Sequence, residues 1–181
     1  MRAAMRSLRA ALAAAAPDAG EEAAARLALP RPPRVVGGYR PLGGEIDPGP
    51  LMRRLAEGGA ALAMPTAVGP DAPLIYRAWS EGDLLAPDAA GVPAPTPAAA
   101  LAAPDLVIAP VLAFDRTGGR LGQGGGHFDR TLAMLRAAGE VFVVGLAFAG
   151  QEIEAIPREP HDEALDAILT EKAYIVVEKD F

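Results

Sequence analysis

Apolar residues along this chain form short runs that alternate with segments of helical periodicity, and this alternation predicts an α/β fold. The clearest runs are residues 106–114 (LVIAPVLAF) and 140–148 (EVFVVGLAF). Neither run alternates apolar with polar residues, which is typical of strands buried on both faces of a parallel sheet. With helices between the strands, the pattern predicts a single three-layer α/β/α domain over residues 1–181, with a mostly parallel central sheet.

The remaining elements are shorter and are separated by Pro and Gly. Helices are predicted at residues 2–16, 21–29, 48–57, 128–138 and 162–169, with Asp47 as the N-cap of the third. Strands are predicted at residues 35–36, 60–64 and 174–177, and residues 74–79 are predicted as an edge strand or hairpin arm. The Pro- and Ala-rich segment 86–104 is predicted to be a loop over the surface.

Composition narrows the possible classes of function. The net charge of −6 argues against general binding to nucleic acid or to a membrane surface, because no basic excess exists to neutralise phosphates. The absence of cysteine excludes disulfides and thiolate metal sites. No window approaches the ~18 apolar residues of a membrane span, and the Ala-rich N-terminus is a poor export signal. We therefore expect a cytoplasmic monomer.

Residues 114–130 (FDRTGGRLGQGGGHFDR) carry the strongest functional signal. A glycine-rich loop lies between an apolar run and a helical segment, an arrangement that presents backbone N–H groups and a helix N-terminus to phosphate oxygens. Arg116, Arg120 and Arg130 add positive charge. A flexible surface turn is the alternative. The Rossmann pattern GxGxxG fails because His127 stands at its sixth position, and a P-loop fails because no lysine lies near the loop.

This segment resembles the signature of the 5-formyltetrahydrofolate cyclo-ligase (5,10-methenyltetrahydrofolate synthetase) family, an apolar strand ending in AFD followed by GxRLGxGxGYYDR. His127 and Phe128 stand where the family has two tyrosines. Three further segments match in the same order along the chain. They are Tyr39 with Glu45-Ile46-Asp47, then Ala147-Phe148 with Gln151, and finally Pro157, Glu159, His161-Asp162, Asp166 and Thr170-Glu171.

The resemblance implies an enzyme that closes 5-formyltetrahydrofolate to 5,10-methenyltetrahydrofolate with hydrolysis of ATP to ADP and phosphate, assisted by Mg²⁺. ATP phosphorylates the formyl oxygen, N10 attacks the activated carbon, and phosphate leaves. The protein then contributes mainly positioning and charge stabilisation. Two alternatives stay open: a non-catalytic nucleotide- or folate-binding module derived from the enzyme, and, less favoured, a sugar-phosphate isomerase of related fold.

The resemblance also assigns residues to ATP. Arg120 would neutralise charge on the transferred phosphoryl group, although a surface ion pair is its simpler interpretation. The family's basic K-x-x-x-R segment matches either Arg2 with Arg6 or Met5 with Arg9, and the register stays open. The full set implied for ATP is Arg2, Arg6, Arg9, Arg120, Leu121, Gly122, Gln123, Gly124, Gly125, Gly126, His127 and Phe128.

Metal and folate positions follow from the same resemblance. Asp129 and Asp162 match the acidic positions for Mg²⁺, and each has a simpler interpretation as a charge or cap at a helix N-terminus. Glu45 matches a folate-contacting glutamate, whose carboxylate accepts hydrogen bonds from pterin N–H groups. Neighbouring candidates for contacts with the pterin or the glutamyl tail are Tyr39, Arg40 and Trp79.

Overall fold

The computed structural model describes residues 1–178 of the chain. A seven-stranded sheet forms the centre of this part of the protein. The elements in chain order are α1 (Arg2–Ala15), α2 (Ala19–Arg26), β1 (Val35–Gly37), α3 (Gly49–Glu57), β2 (Ala61–Thr66), β3 (Ile75–Ala78), β4 (Leu85–Pro87), β5 (Pro93–Pro95), β6 (Leu106–Pro110), β7 (Ala113–Phe114), β8 (Arg120–Leu121), α4 (His127–Ala138), β9 (Phe142–Leu146), β10 (Ala167–Leu169) and β11 (Tyr174–Val176).

The strand order across the sheet is β11-β10-β9-β6-β1-β2-β3. The five inner strands pair in parallel, and the two edge strands, β3 and β11, run antiparallel to their neighbours. The predicted α/β fold with a mostly parallel sheet is confirmed, as is the edge position of the strand predicted at 74–79.

Helices cover the sheet on both faces, which gives the three layers that the pattern predicts. On one face, α2 and α3 pack Ala23 and Leu51 into a core that includes Ile108. On the other face, α4 packs Leu132 into a second core that includes Val107. Because successive strand residues point to opposite faces, neighbouring positions of β6 supply the two cores in turn. None of the helices between residues 1 and 178 combines the length and hydrophobicity needed to cross a membrane.

The predicted strand at 106–114 is interrupted between β6 and β7. At this break the buried Gln151 amide donates 2.8 Å hydrogen bonds to the carbonyls of Val111 and Leu112. Buried carbonyls must find donors, so this side chain permits the chain to leave the sheet there. The departure lets β7 pair with β8 as a separate hairpin that carries the glycine loop.

The helix predicted at 162–169 is wrong. Residues 162–165 form no helix or strand, and β10 begins at Ala167, between β9 and β11. Leu165, Ile168 and Leu169 are all fully buried. A short apolar run cannot be assigned to a helix or a strand by periodicity alone, and here the two neighbouring strands select the strand.

The segment 86–104 is not simply a surface loop, because β4 and β5 form a hairpin within it. The Asp88 carboxylate accepts hydrogen bonds from the N–H groups of Ala90 and Val92, which closes the hairpin turn. It also accepts a 2.7 Å hydrogen bond from the N–H of Ala67, just after β2. This carboxylate therefore fixes the hairpin against the end of the sheet.

Three helix starts also differ from the prediction, that of α4 by only one residue because it begins at His127. Helix α2 begins at Ala19, two residues before the predicted start. The N-cap of α3 is Pro48 rather than Asp47. The Asp47 carboxylate still accepts a 2.9 Å hydrogen bond from the first helical N–H, that of Gly49, so it stabilises the same end from one position further out.

Candidate functional site

A cleft of about 460 Å³ lies at the carboxyl ends of β1, β2 and β6. Its walls are the segments that follow these strands, the glycine loop between β8 and α4, the turn of the β4–β5 hairpin and part of the segment 157–162. Ligands of open α/β sheets bind at this edge, where the connections after neighbouring parallel strands diverge. The fold therefore gathers most of the residues singled out in the sequence at one place.

The glycine loop lines the cleft with unpaired backbone N–H groups. Within the described residues, the N–H groups of residues 122–126 donate no hydrogen bond. Gly124 and Gly126 have φ angles of +109° and +64°, which only glycine adopts at little cost. A Cβ on Gly125 would lie 2.7 Å from Nδ1 of His127. The loop is thus a set of free donors at the N-terminus of α4, a geometry suited to an anion.

Arg120 and Asp129 form an ion pair beside this loop. Nη2 of Arg120 lies 2.5 Å from Oδ1 of Asp129, and their side chains are 5% and 19% exposed. The guanidinium also lies 5.9 Å from the centre of the Phe128 ring, within the range of a cation–π contact. Arg120 therefore does form an ion pair, as its simpler interpretation predicts, but the pair is largely buried and not at the surface.

The two acidic residues matched to Mg²⁺ both line the cleft. The hydrogen bonds that the described residues make to the Asp129 carboxylate, from Arg120 and the N–H of Glu163, both fall on Oδ1. Asp162 accepts a 2.8 Å hydrogen bond from the N–H of Glu159 on Oδ2, so it closes a turn and does not cap a helix. Each carboxylate keeps an oxygen that is not engaged in this way.

Residues 1–178 contain no group of three or more His, Cys, Asp or Glu side chains that could hold a metal by themselves. Mg²⁺ usually takes one or two carboxylates and fills its other positions with water and phosphate oxygens. The two acidic side chains therefore fit a magnesium ion that arrives with a nucleotide, and they do not form a separate metal centre.

Glu45, which also lines the cleft, forms a second ion pair with Arg9; we call the surroundings of the Arg120–Asp129 pair and of the Arg9–Glu45 pair the two ends of the cleft. The charged groups of Glu45 and Arg9 lie 3.1 Å apart, and their side chains are 7% and 3% exposed. Oε2 of Glu45 also accepts a 3.0 Å hydrogen bond from the N–H of Leu42. Burial raises the pKa of Glu45 above its ordinary value, and the Leu42 N–H, the Arg9 charge and the Gln123 side chain offset this only in part.

The three N-terminal arginines share one face of α1 and reach both ends of the cleft. Nε of Arg2 donates to the carbonyl of Gly122 at 3.1 Å, and Nε of Arg6 donates to Oε1 of Gln123 at 3.0 Å. Arg9 instead contacts Glu45 and donates a 3.0 Å hydrogen bond to the carbonyl of Gly43. Both registers therefore place arginines in contact with residues that line the cleft. Arg2 and Arg6 contact the glycine loop, and Arg9 contacts Glu45.

The other folate candidates are placed differently from one another. Tyr39 lines the cleft, but its hydroxyl donates a 2.5 Å hydrogen bond to the carbonyl of Ile46, and burial, followed by the nearby Glu45 charge, raises its pKa. Arg40 is exposed at the cleft and makes no ion pair or hydrogen bond within residues 1–178. Trp79 lies outside the cleft lining and packs against the core under α2 and α3.

Asp115 organises the β7–β8 hairpin beneath the glycine loop. Burial raises the pKa of this carboxyl, but hydrogen bonds from the Thr117 hydroxyl and from the N–H groups of Ile156, Gly119 and Thr117 outweigh burial and lower it to about 2. Arg158 adds an ion pair at 3.2 Å. Although the AFD motif contains Asp115, sequence reasoning assigned it no such structural role.

The outer arginines of the motif are not equivalent to Arg120. Arg116 is absent from the cleft lining and forms a 2.7 Å ion pair with Glu152 while 67% exposed. Arg130 donates hydrogen bonds to the carbonyls of Gly125 and Pro70, which joins the glycine loop to the segment before β3. Asp88 and its hairpin were also missed as part of the cleft, although Asp before Ala-Ala-Gly is a typical turn signal.

Comparison with known proteins agrees with this geometry. A sequence model of the 5-formyltetrahydrofolate cyclo-ligase family matches residues 1–171. The chain is 36% identical over 151 residues to the 5-formyltetrahydrofolate cyclo-ligase of Mycolicibacterium smegmatis, covering 79% of this chain and 76% of that protein. It is 42% identical over 66 residues to the enzyme of the same name from Escherichia coli K12, covering 36% of each.

The fold also has a close counterpart among solved structures. The 5,10-methenyltetrahydrofolate synthetase of Aquifex aeolicus matches with a TM-score of 0.76 at 24% identity. The match covers 99% of this chain and 94% of that one. At this identity the likeness concerns the fold alone.

Proposed function

Because the chain belongs to the 5-formyltetrahydrofolate cyclo-ligase family, we propose that it converts 5-formyltetrahydrofolate to 5,10-methenyltetrahydrofolate while ATP is hydrolysed to ADP and phosphate. The observation that carries the proposal is the row of free N–H groups at residues 122–126 beside the buried Arg120. A Cβ on Gly122 would stand 3.5 Å from Nη1 of Arg120, so the guanidinium and the loop face one small space.

In the first step the glycine loop and Arg120 hold the ATP phosphates. The free N–H groups bind the polyphosphate, and the absence of Cβ atoms permits close approach. The formyl oxygen attacks the γ-phosphorus, and the bond between that phosphorus and the β–γ bridging oxygen breaks to release ADP. Arg120 stabilises the charge that develops on the transferred phosphoryl group.

In the second step N10 of the folate attacks the activated carbon. The bond from that carbon to the phosphorylated oxygen breaks, the oxygen leaves as part of phosphate, and the N10 proton is lost. The chain contributes mainly orientation here, because both nitrogen and carbon belong to one substrate. Glu45, held by Arg9 and the Leu42 N–H, accepts hydrogen bonds from the pterin edge and fixes the folate relative to the loop.

Asp129 and Asp162 are the residues that would hold Mg²⁺ with the nucleotide, and the ion would neutralise phosphate charge. Arg40 is exposed at the cleft and has no partner in the described chain, which supports a role in binding a carboxylate of the glutamyl tail. The other expectations, a monomer that works in the cytoplasm without nucleic-acid or membrane partners, stay predictions.

A coupled assay tests the proposal directly. The protein is mixed with 5-formyltetrahydrofolate, ATP and Mg²⁺, and the near-ultraviolet absorbance of the methenyl product is followed together with ADP release. We expect an ATP-dependent rise with one ADP formed per methenyl product. Binding of ATP and folate without any rise would overturn the enzymatic proposal and favour the binding module. An unchanged rise in the absence of ATP would contradict the proposed role of the glycine loop.

A further inference from the structure

Gln123 lies at a position that the glycine motif leaves open, between Gly122 and Gly124. Its side chain is exposed in the loop that we assign to the ATP phosphates, and it also lines the cleft shared with Glu45. The family resemblance requires no particular residue at this position. Any function of Gln123 must therefore be argued from its own contacts.

Helix α1 holds Gln123 and Glu45 from the same side. Arg6 donates from Nε to Oε1 of Gln123 at 3.0 Å and from Nη2 to the Gln123 carbonyl at 3.4 Å. Arg9 donates to Glu45 at 3.1 Å. Residues three apart on a helix are neighbours on its surface, so the two arginines bring the loop residue and the folate carboxylate together.

The direction of the Arg6 hydrogen bond determines which part of the Gln123 side chain can still donate. Because Oε1 of Gln123 accepts from Arg6, its NH₂ group is the part free to donate. The Gln123 side chain makes no direct hydrogen bond to Glu45, but its proximity favours the charged form of that carboxylate, which is the form that accepts pterin N–H groups. Gln123 thus connects the phosphate loop to the charge of the folate-binding residue.

Resting on the proposed function, we propose that Gln123 couples the two substrates, so that a nucleotide in the glycine loop strengthens folate binding at Glu45. Bound phosphates fix the loop backbone and thereby hold Gln123 against Arg6, whose neighbour Arg9 on the same face of α1 holds Glu45. The coupling is reciprocal by thermodynamic necessity, so folate strengthens nucleotide binding by the same factor. Gln123 acts as a positioning residue in this scheme and not as a catalytic one.

Calorimetry can measure the coupling in the full chain. The dissociation constant of 5-formyltetrahydrofolate is determined with and without a saturating non-hydrolysable imido analogue of ATP plus Mg²⁺. For the native sequence we expect the nucleotide to tighten folate binding by about five-fold or more. Gln123→Leu removes the side-chain hydrogen bond with Arg6, so the ratio should approach one. Gln123→Glu keeps an acceptor for Arg6 but faces Glu45 with a like charge, so folate binding should weaken further.

A matched control is Arg116→Gln, which removes an exposed ion pair in the same hairpin without touching Glu45 and should keep the native ratio. A native ratio of one, or an unchanged ratio in Gln123→Leu, would overturn the coupling while normal turnover left the proposed function intact. Failure of the native protein to bind either ligand would contradict the proposed function and the coupling together. Because Gln123 is exposed, thermal melting should show both variants folded like the native protein.

Discussion

Each end of the cleft holds a buried arginine–carboxylate pair, but the two pairs differ in what they leave open. In the Arg9–Glu45 pair both carboxylate oxygens accept hydrogen bonds from the chain, and the side chains are 3% and 7% exposed. In the Arg120–Asp129 pair the carboxylate is 19% exposed, and its hydrogen bonds from the described residues fall on one oxygen. The chain therefore holds both oxygens of Glu45, whereas Asp129 keeps one oxygen available for a further ligand.

The difference follows from what each end must do. Each oxygen of Glu45 can accept a second hydrogen bond, so a folate can bind without breaking the pair with Arg9, which would cost several kcal/mol for an uncompensated buried charge. Phosphoryl transfer needs charge that is already aimed at the phosphate and requires no rearrangement. The Arg120–Asp129 pair, called here the open pair, suits that chemistry. The Arg9–Glu45 pair, called the closed pair, suits the orientation of a substrate whose pterin edge does not change in the reaction.

The largest effect is expected from Arg120→Lys. Lysine keeps the charge but cannot contact Asp129 and a phosphate oxygen with one planar group, so kcat should fall by about 10³-fold. Steady-state assays measure this, and Arg53→Lys, in an exposed ion pair with Glu21, is the matched control. A loss of less than ten-fold would place Arg120 outside the reaction and remove the contrast between the two pairs.

Glu45→Gln should act mainly on folate binding. The amide keeps the shape and an acceptor for Arg9 but loses the charge that receives the pterin, so KM for the folate should rise by about 10–100-fold. KM for ATP at saturating folate should rise by no more than the coupling factor proposed between the two substrates, about five-fold. Initial rates with each substrate varied in turn provide the test. An equal rise in both KM values would show that the two ends cannot be separated.

The sequence predicted the elements that depend on local pattern. Both long apolar runs lie in buried strands, and the glycine loop precedes α4 as expected. The errors occur where a distant side chain decides the structure. Gln151 ends β6 by donating to two carbonyls about 40 positions earlier in the chain, a contact that no local window contains.

The residues of the candidate site were likewise predictable where they belong to a sequence motif. The loop, Asp129 and Glu45 belong to motifs, and the structure brings them to one cleft. That Arg9 contacts Glu45 and not the loop depends on how α1 crosses the cleft, which helical spacing alone does not determine. Trp79 is absent from the cleft lining for a similar reason, because proximity along the chain to a binding motif does not establish which core a side chain enters.

Asp115→Asn tests how the open end is supported. The folded-state pKa of about 2 lies below the ordinary value of 3.8, so the carboxylate stabilises the fold above pH 3.8 and this contribution is lost as pH falls towards 2. The variant should lose about 2 kcal/mol at neutral pH, measured by urea unfolding. The difference between native and variant proteins should shrink in acid; a constant difference would contradict the pKa argument.

The closed end should also respond to pH. Burial raises the pKa of Glu45 above 4.5, and the charged form binds the pterin, so folate affinity should fall as pH decreases through that raised value. Because a group with a pKa above 4.5 is more than half protonated at pH 4.5, we expect the folate dissociation constant to rise by at least about two-fold between pH 7.5 and pH 4.5, measured by calorimetry. Glu45→Gln should be flat over this range. A similar slope in the variant would assign the titration to another group.

The smallest effect is expected from Trp79→Phe, which tests how far the folate site extends from Glu45. Trp79 packs against the core under α2 and α3, and its buried Nε1 has no hydrogen-bond partner among residues 1–178, so phenylalanine forfeits no hydrogen bond. The smaller ring should cost about 1 kcal/mol of stability and change KM for the folate by less than two-fold. Thermal melting and initial rates measure the two quantities. A ten-fold rise in that KM would mean that the folate reaches beyond Glu45 to β3, and the closed pair would then be the middle of the folate site and not its end.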